Sequence, residues 1–373
     1  MSIKTIKVVF CANSSWYLYN FRKTTIKAFV AEGYKVYCVA PQDDFSEKLE
    51  SIGVSFLSFK FESNSLNLFK ELKTLTDLIR IYLRIRQDYT FNFTPKMNIY
   101  SSFAAMISNS KIINNISGLG SAFIKKTYFS ILVLALYRIS SLRVEKVFFQ
   151  NKKDMNLFLE KNIIKQSKSE LIYGSGVDLN EFYFSKMNED HNTRFILMSR
   201  LLKEKGVYLF AEAAKELKKE FLNEIEFAIA GFIDEQKKDA VTIAEIKKWE
   251  QEGILNYLGP LDDVKSELSK SHCAVLPTFY PEGLPKFLLE AAAMGKIIVS
   301  SNTPGCSEVV EDGINGYLCE PQSLKDLVLC LKKVVKLSGK ERNKMFTNSR
   351  HKAEKMFSDK VIIKKYLNCI QNN

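Results

Sequence analysis

Pro281-Glu282-Gly283-Leu284-Pro285-Lys286-Phe287-Leu288-Leu289-Glu290-Ala291 sets two carboxylates eight residues apart, with a glycine and a proline just after the first. An apolar strand, Cys273-Ala274-Val275-Leu276, leads in, and a helical pattern runs out to Gly295. Pro285 suits the first helical position, where its missing N–H costs nothing. The spacing therefore predicts Glu282 on a loop at a helix N-terminus and Glu290 about two turns inside the helix. Free amides at a helix start attract phosphate oxygens, and Gly283 lets backbone approach a ligand closely. Glu290 stands among Leu288, Leu289 and Ala291–Ala293, so it reads less as a solvated helix glutamate than as an acid that needs a partner. Amides for phosphate and carboxylates for hydroxyls are what a sugar nucleotide requires.

Working outward, strand-like runs alternate with helical patterns along the whole chain. The first half predicts strands at Ile6–Cys11, Lys35–Ala40, Val54–Phe59, Tyr89–Phe93, Lys111–Ile116 and Val144–Gln150. The second half predicts them at Arg194–Met198, Ile225–Ala230, Ile254–Leu258, Cys273–Pro277 and Lys296–Ser300. Helical segments such as Phe21–Glu32, Gly206–Phe221 and Pro285–Met294 lie between them. Such alternation gives parallel sheets covered by helices on both faces. Two series predict an α/β chain of two doubly wound, Rossmann-like domains, residues 1–174 and 175–356, with a closing helix at about 357–373 returning to the first. The glycines of Gly174-Ser-Gly-Val-Asp178 and the polar run to Thr193 read as the linker.

Bulk composition fits this reading. The 373 residues suffice for two ordinary domains, and 46% apolar residues can fill their cores. No run of apolar residues is long enough for a spanning helix, and the N-terminus reads as a first strand with no signal-peptide core. Cys11, Cys38, Cys273, Cys306, Cys319, Cys330 and Cys369 show no metal-ligand or redox spacing; most lie in apolar runs, as buried thiols of a reducing cytosol do. The net charge of +12 is uneven: residues 1–186 carry 26 Lys/Arg against 15 Asp/Glu, and residues 187–373 carry 28 against 27. An anionic membrane surface or a phosphate-bearing substrate fits a basic first half. No nucleic-acid motif accompanies the charge, so nucleic acid is not expected as a partner.

A second cluster lies in Ser199-Arg200-Leu201-Leu202-Lys203-Glu204-Lys205-Gly206-Val207, between the first strand of the second series and its helix. Open α/β sheets bind ligands at the carboxyl ends of strands. Arg200, by a forked contact, and Lys205, as a point charge, would neutralise a diphosphate there. The plain alternative is an ordinary basic loop.

Taken together, Glu282, Glu290, Gly283 and Pro285 resemble the E-x7-E motif of the family 4 retaining glycosyltransferases, and Arg200 with Lys205 is similar to that family's basic diphosphate pair. Pro304-Gly-Cys-Ser-Glu308 and Glu311-Asp-Gly-Ile-Asn-Gly316-Tyr-Leu318 resemble its following segments, so the likeness covers about residues 194–320. The resemblance implies the GT-B fold, two Rossmann-like domains facing each other across a cleft. It further implies that Arg200 and Lys205 hold the diphosphate, and that Glu290 holds the ribose. Glu282 and the Gly283-Leu284-Pro285 amides would take the donor sugar, and Leu258-Gly-Pro-Leu261-Asp262 would line the base. Arg200, Lys205 and Glu282 are the catalytic candidates. No metal and no cofactor is expected, and the leaving phosphate serves as the base.

In the first half, Tyr19-Asn20-Phe21-Arg22, Phe93-Thr94-Pro95-Lys96-Met97-Asn98-Ile99-Tyr100 and Asn114-Asn-Ile-Ser-Gly118-Leu119-Gly120 resemble capsule and O-antigen transferases of the CapM kind. That likeness implies a nucleotide-sugar donor, a UDP-N-acetylhexosamine or UDP-hexose, and a polyprenyl-diphosphate-linked sugar as acceptor. It also implies an enzyme peripheral to the cytoplasmic face of the cell membrane. Ser14, Ser15, Asn20, Arg22, Lys96, Asn98, Gly118 and Gly120 are the acceptor-side candidates. The chain departs from many relatives in reading Cys11-Ala-Asn-Ser-Ser-Trp16 where they carry a glycine pair. His191, His272 and His351 all lie outside the first domain, so no cleft histidine can be carried over. Gly118-Leu119-Gly120 lacks the third glycine of a dinucleotide fingerprint. It reads equally as a close-approach loop or a turn. Two basic amphipathic stretches, Leu68–Arg86 and Lys125–Arg143, are candidates for membrane contact, with packing on the sheet as the alternative. A GT-B sugar-nucleotide epimerase and a non-catalytic sugar-nucleotide- or membrane-binding protein are the rival functions. The first is disfavoured by the histidine-free cleft of the first domain, since an epimerase would call for more titratable groups there, and the second by the four charged residues at the site.

Overall fold

Two parallel sheets organise the chain. The computed structural model describes residues 5–62, 67–119, 128–185, 192–222, 224–234, 237, 239–280 and 282–371. The chain divides into one unit of Met1–Ser175 with Asp359–Asn373 and a second of Gly176–Ser358.

In the first unit the strands are β1 (Lys7–Cys11), β2 (Lys35–Val39), β3 (Ser55–Leu57), β4 (Tyr89–Phe93), β5 (Lys111–Ile116), β6 (Val144–Phe149) and β7 (Ser169–Leu171). They pair in the order β3-β2-β1-β4-β5-β6-β7, every pairing parallel. Strands buried on both faces read as continuous apolar runs, as in Val8-Val9-Phe10-Cys11, none of which is exposed. One face carries Phe10, Phe29 and Phe91, with Phe10 and Phe91 stacked 5.2 Å apart and Phe29 meeting both edge-on. The helix Asp359–Gln371 closes this face: Tyr366, fully buried, sets its ring edge-on to Phe91 and Phe148 at 5.7 and 5.1 Å.

In the second unit β8 (Thr193–Met198), β9 (Ile225–Ala230), β10 (Asn256–Tyr257), β11 (Cys273–Leu276), β12 (Ile297–Ser301) and β13 (Gly316–Cys319) pair in the order β10-β9-β8-β11-β12-β13, again all parallel. This is the strand order of the dinucleotide-binding fold, with its reversal between β8 and β11. The crevice that such a reversal opens lies outside the carboxyl ends of these two strands.

The strand positions follow the sequence reading closely, and the differences have local causes. β7 and β13 were not expected: β7 has only three residues and begins Ser-Glu, and β13 begins on a glycine. Gly316 is there because β12 lies too close for a side chain; a Cβ on it would stand 2.7 Å from the Ile298 carbonyl carbon. β10 is two residues where five were expected, since Ile254 and Leu255 face the core before the strand starts. The expected linker is in part ordered on the second unit. Val177 N–H donates to Phe357 C=O at 2.8 Å, Ser185 N–H donates to Met294 C=O at 3.2 Å, and the Arg350 guanidinium donates to Phe182 C=O at 2.9 Å.

Candidate functional site

The loops that leave β8 and β11 are joined at their bases. Glu204 C=O accepts both the Thr278 hydroxyl at 2.9 Å and the Phe279 N–H at 3.0 Å. Gly206, at φ 77°, makes the approach feasible: a Cβ there would stand 2.7 Å from the Pro277 carbonyl carbon and nearer still to its oxygen. Gly206 also ends the 3-10 turn Lys203–Lys205 and starts the helix Val207–Phe221. Lys205 is thereby carried to the β11 loop, where its Nζ pairs with Glu282 Oε1 and lies 5.3 Å from the Tyr280 ring centroid. Both side chains of the pair are largely withdrawn from solvent. Arg200 is exposed on the same loop, near enough to the negative charge of Glu204 to favour its ionised form. Burial dominates at Glu204, however, and raises its carboxyl above the usual range.

Gly305 repeats the device one strand further on. At φ 85° it presses on the Glu282–Gly283 backbone, where a Cβ would stand 2.7 Å from the Glu282 carbonyl oxygen. The loop bearing Glu282 is therefore held from the β8 side by Gly206 and from the β12 side by Gly305. Sequence reading noted both glycines within motifs but did not assign them this clamping role. Tyr280 and Thr278 escaped it altogether, because their relation to Lys205 and Glu204 is spatial.

The helix after Glu282 begins one residue later than the spacing suggested. It spans Lys286–Ala293, with Pro285 (φ −65°, ψ 118°) as its N-cap in extended conformation. Proline has no side-chain cap to offer, and its carbonyl accepts the Leu288 and Leu289 amides at 3.0 and 3.3 Å. Glu290 consequently stands little more than one turn into the helix, not two. It is buried, and Lys286, one turn back, supplies its partner at 3.3 Å. Burial raises the Glu290 carboxyl above the usual range, with Lys286 acting in the opposite direction. Leu261 and the exposed Asp262 follow β10, just before the helix Val264–Ser269. Gly259, in the same loop, accepts the Gly231 N–H at 2.9 Å, and Gly231 follows β9. Gly283, Leu284, Pro285, Glu290, Arg200, Lys205 and Glu282 are thus gathered on consecutive loops and a helix start at the strand-order reversal.

The first-unit candidates fare differently. Ser14 caps the helix Ser15–Ala31, accepting Tyr17 N–H at 3.1 Å. Ser15 is fully buried and spends its hydroxyl on Pro41 C=O at 2.8 Å, while Asn20 donates to Trp16 C=O at 2.9 Å. Arg22 is a core residue. Its guanidinium lies 4.5 Å from the Phe93 ring and donates to Tyr366 Oη at 3.3 Å and Tyr17 Oη at 3.2 Å. Asn98 is buried too, donating to Asn115 C=O at 2.8 Å and accepting the Asn115 N–H at 3.3 Å. Ser15, Arg22 and Asn98 are therefore corrected from acceptor contacts to groups that hold the unit together. Lys96 remains near the surface and pairs with Glu71 at 2.7 Å. Gly118 follows β5 at φ 109°, a conformation that needs glycine; Gly120 lies outside the described residues. Thr94, quoted above only as part of a motif and given no role there, follows β4 with φ 73° and a buried hydroxyl that finds no partner among the described residues. Such strain in a non-glycine residue gathers at functional sites.

Among the described residues no helix is long and apolar enough to cross a membrane. The first unit does expose apolar side chains, among them Leu68, Phe69 and Leu72 on the helix Leu68–Ile85 and Ile131, Leu132 and Ile139 on the helix Tyr128–Ser140. Lys125 and Lys126 of the second amphipathic stretch lie outside the described residues.

Two parallel-sheet α/β units, with charged loops at the reversal point of the second, define the GT-B class of transferases. Comparison with known proteins agrees. Residues 180–352 match the family described as Glycosyl transferases group 1, and residues 7–151 match Glycosyl transferase 4-like. The chain belongs to these glycosyltransferases. It is 27% identical, over 86% of its own length and 87% of the relative's, to an N,N'-diacetylbacillosaminyl-diphospho-undecaprenol alpha-1,3-N-acetylgalactosaminyltransferase of Campylobacter jejuni. It is 22% identical, over 79% of each chain, to the capsular polysaccharide biosynthesis glycosyltransferase CapM of Staphylococcus aureus. Among solved structures, Anabaena Alr3699/HepE, crystallised in complex with UDP, superposes with a TM-score of 0.78 at 17% identity, covering 99% of this chain and 100% of that one.

Proposed function

We propose that this glycosyltransferase moves a sugar, with retention of configuration, from a UDP-N-acetylhexosamine or UDP-hexose to a saccharide carried on a polyprenyl diphosphate, in assembly of a surface polysaccharide. The observation that carries the reading is the clamped pair of Lys205 and Glu282 at the strand-order reversal. The names of the relatives, which act on undecaprenyl-diphosphate sugars or in capsule synthesis, support the acceptor class.

In this reading Arg200 and Lys205 meet the donor diphosphate, and Glu282 with the Gly283–Pro285 backbone meets the donor sugar. Glu290 exchanges Lys286 for ribose hydroxyls, and Leu261 with Asp262 borders the base. The acceptor hydroxyl attacks the anomeric carbon on the face from which the diphosphate departs. The bond from that carbon to the phosphate oxygen breaks, the new glycosidic bond forms, and the acceptor proton passes to the leaving diphosphate. Fixed cations stabilise the charge that develops there, and positioning supplies the rest. No metal or cofactor is assigned a step. The first unit works at the cytoplasmic face of the membrane as a peripheral protein, with its exposed leucines and isoleucines against an anionic surface. The test is a panel of nucleotide sugars offered with short-chain polyprenyl-diphosphate sugars and scored for nucleoside diphosphate release. Acceptor-dependent release of UDP is expected. Donor binding without release on any acceptor would defeat the reading, and epimerised donor without release would favour the epimerase.

A further inference from the structure

We infer that Thr94 is a specificity-determining residue whose side-chain hydroxyl forms a hydrogen bond with a hydroxyl of the acceptor saccharide. The inference rests on the acceptor class proposed above and assigns to it a contact made by this chain's own residue.

Thr94 stands where β4 ends and the helix Pro95–Ile107 begins. The first sheet reverses its strand order between β1 and β4, so the crevice of this unit lies outside the carboxyl ends of those two strands. The Thr94 backbone, at φ 73° and ψ 147°, borders a region that essentially only glycine occupies. For a β-branched residue such a conformation is a true outlier. Its neighbours impose it. Phe93 is fully buried, its ring 4.5 Å from the Arg22 guanidinium, and the fixed φ of Pro95 follows, with the Pro95 C=O accepting Tyr137 Oη at 3.3 Å. Glycine would meet the same demand without strain. The threonine side chain is therefore kept for something other than the path of the backbone.

That side chain is not spent inside the fold. A threonine at an N-cap ordinarily turns its hydroxyl onto an amide of the first helical turn, and Thr94 makes no such bond. Its hydroxyl oxygen is buried and finds no partner among the described residues. The polar groups on the same strand and helix are, by contrast, bonded: Asn92 Nδ2 donates to Asn114 Oδ1 at 2.8 Å, and Ser102 Oγ donates to Asn98 C=O at 2.7 Å. An unbonded buried hydroxyl costs stability, and in a region otherwise satisfied it points to a ligand.

The surroundings select the chemistry of that ligand. Lys96, the nearest cation along the chain, is closed into an ion pair with Glu71 at 2.7 Å. Pro95 removes one amide from the helix start. Asn92, Asn98, Ser101 and Ser102 are neutral. A phosphate calls for positive charge that this corner does not offer, whereas a neutral hydroxyl, donor and acceptor at once, matches the threonine. Within the acceptor, the saccharide is the part rich in hydroxyls. Pro95, the next residue, is exposed, and Thr94 itself keeps 7% of its surface. With no bond to break, its hydroxyl is free to change its staggered position toward an arriving ligand.

The test reads binding to the full-length protein by isothermal titration, so it does not depend on turnover. The probes are short prenyl-diphospho-N-acetylhexosamines held below their micelle-forming concentration, each with its mono-deoxy analogues. Thr94→Val should weaken the tightest probe at least about fivefold, and Thr94→Ser should hold it within about twofold of the wild type. One mono-deoxy analogue should lose the same factor on the wild type and nothing further on Thr94→Val, which identifies the hydroxyl that Thr94 meets. Tm should rise in Thr94→Val, because an unbonded buried hydroxyl is replaced by a methyl of the same shape. Affinity within twofold of the wild type in Thr94→Val would overturn the contact, as would losses that simply add for every analogue. So would a fall in Tm, since that outcome makes the hydroxyl a structural group. So would equal weakening of the UDP-sugar donor with UDP itself unchanged, since that outcome gives Thr94 to the donor sugar. Probes that bind through Thr94 yet are not glycosylated would count against the proposed reaction and leave the contact standing. Probes that fail to bind the wild type at all would defeat the acceptor class, and the contact with it.

Discussion

Replacing Gly206 by alanine should loosen the junction on which the whole donor site depends. Two costs add. At φ 77° a residue with a Cβ is strained by about 1–2 kcal/mol. The new methyl would also stand 2.7 Å from the Pro277 carbonyl carbon, backbone that cannot rotate away. Forcing atoms into such space costs about 1–3 kcal/mol. The sum, about 2–5 kcal/mol, corresponds to a fall in Tm of about 4–20 °C for a unit of this size. Gly259 is the internal control: it has φ 70° and nothing within 4 Å of an added Cβ, so Gly259→Ala should show the strain alone. Urea unfolding read by fluorescence suits the comparison. Trp249 is buried in the second unit, edge-on to Tyr208 at 5.5 Å, and becomes the sole reporter in a Trp16→Phe background. A Gly206→Ala protein no less stable than Gly259→Ala would refute the close approach and the clamp built on it.

Further consequences can be measured on the same protein. Arg200→Ala and Lys205→Ala should each cost on the order of 2–4 kcal/mol in kcat/KM; near-normal turnover in both would remove the diphosphate assignment. Glu290→Gln should raise Tm at neutral pH while weakening UDP binding. A carboxyl whose pKa is raised by burial loses stability as pH rises from the usual glutamate range to the folded-state value, and the amide has no such loss. Unchanged Tm across pH 4–8 in both proteins would count against the shift. Lys296 is fully buried at the start of β12, donating to Ser185 C=O and Ser269 C=O at 3.3 and 3.1 Å, and burial pushes its pKa down to about 7. Its unfolded form holds the proton to higher pH, so the second unit should gain stability as pH rises from about 7 toward the ordinary lysine value. Lys296→Met should flatten that slope in urea midpoints taken at several pH values, and an equally steep slope in the variant would contradict the assignment.

Much of the architecture was written in periodicity. Runs such as Tyr89–Phe93, Lys111–Ile116 and Ile225–Ala230 coincide with their strands residue for residue, and all their residues but Lys111 and Glu226 are buried, as a sheet covered on both faces requires. Gly316-Tyr-Leu-Cys319 escaped because its opening glycine looks like a turn until β12 is placed beside it. The donor-side cluster was legible as types and spacing around Glu282. Its pairing with Lys205, 77 positions earlier, was not, since only the β8–β11 adjacency brings them together. Arg22 and Asn98 misled for one reason: a polar residue inside a core and a polar residue in a crevice look alike in sequence. The difference lies in their partners, Tyr366 from the closing helix 344 positions away and Asn115 from the next strand, β5.

Tyr366 carries a consequence for how this chain is made. The helix Asp359–Gln371 completes the first unit, yet it leaves the ribosome after all of the second. Domains ordinarily fold in order of synthesis. Here the earlier one waits, with the Phe91 and Phe148 edges that Tyr366 will cover still open to water while residues 176–358 emerge. Nascent chains should therefore bind chaperones through the first unit until the helix Asp359–Gln371 has emerged. A stop codon placed after Ser358 should yield a folded second unit attached to an aggregation-prone first.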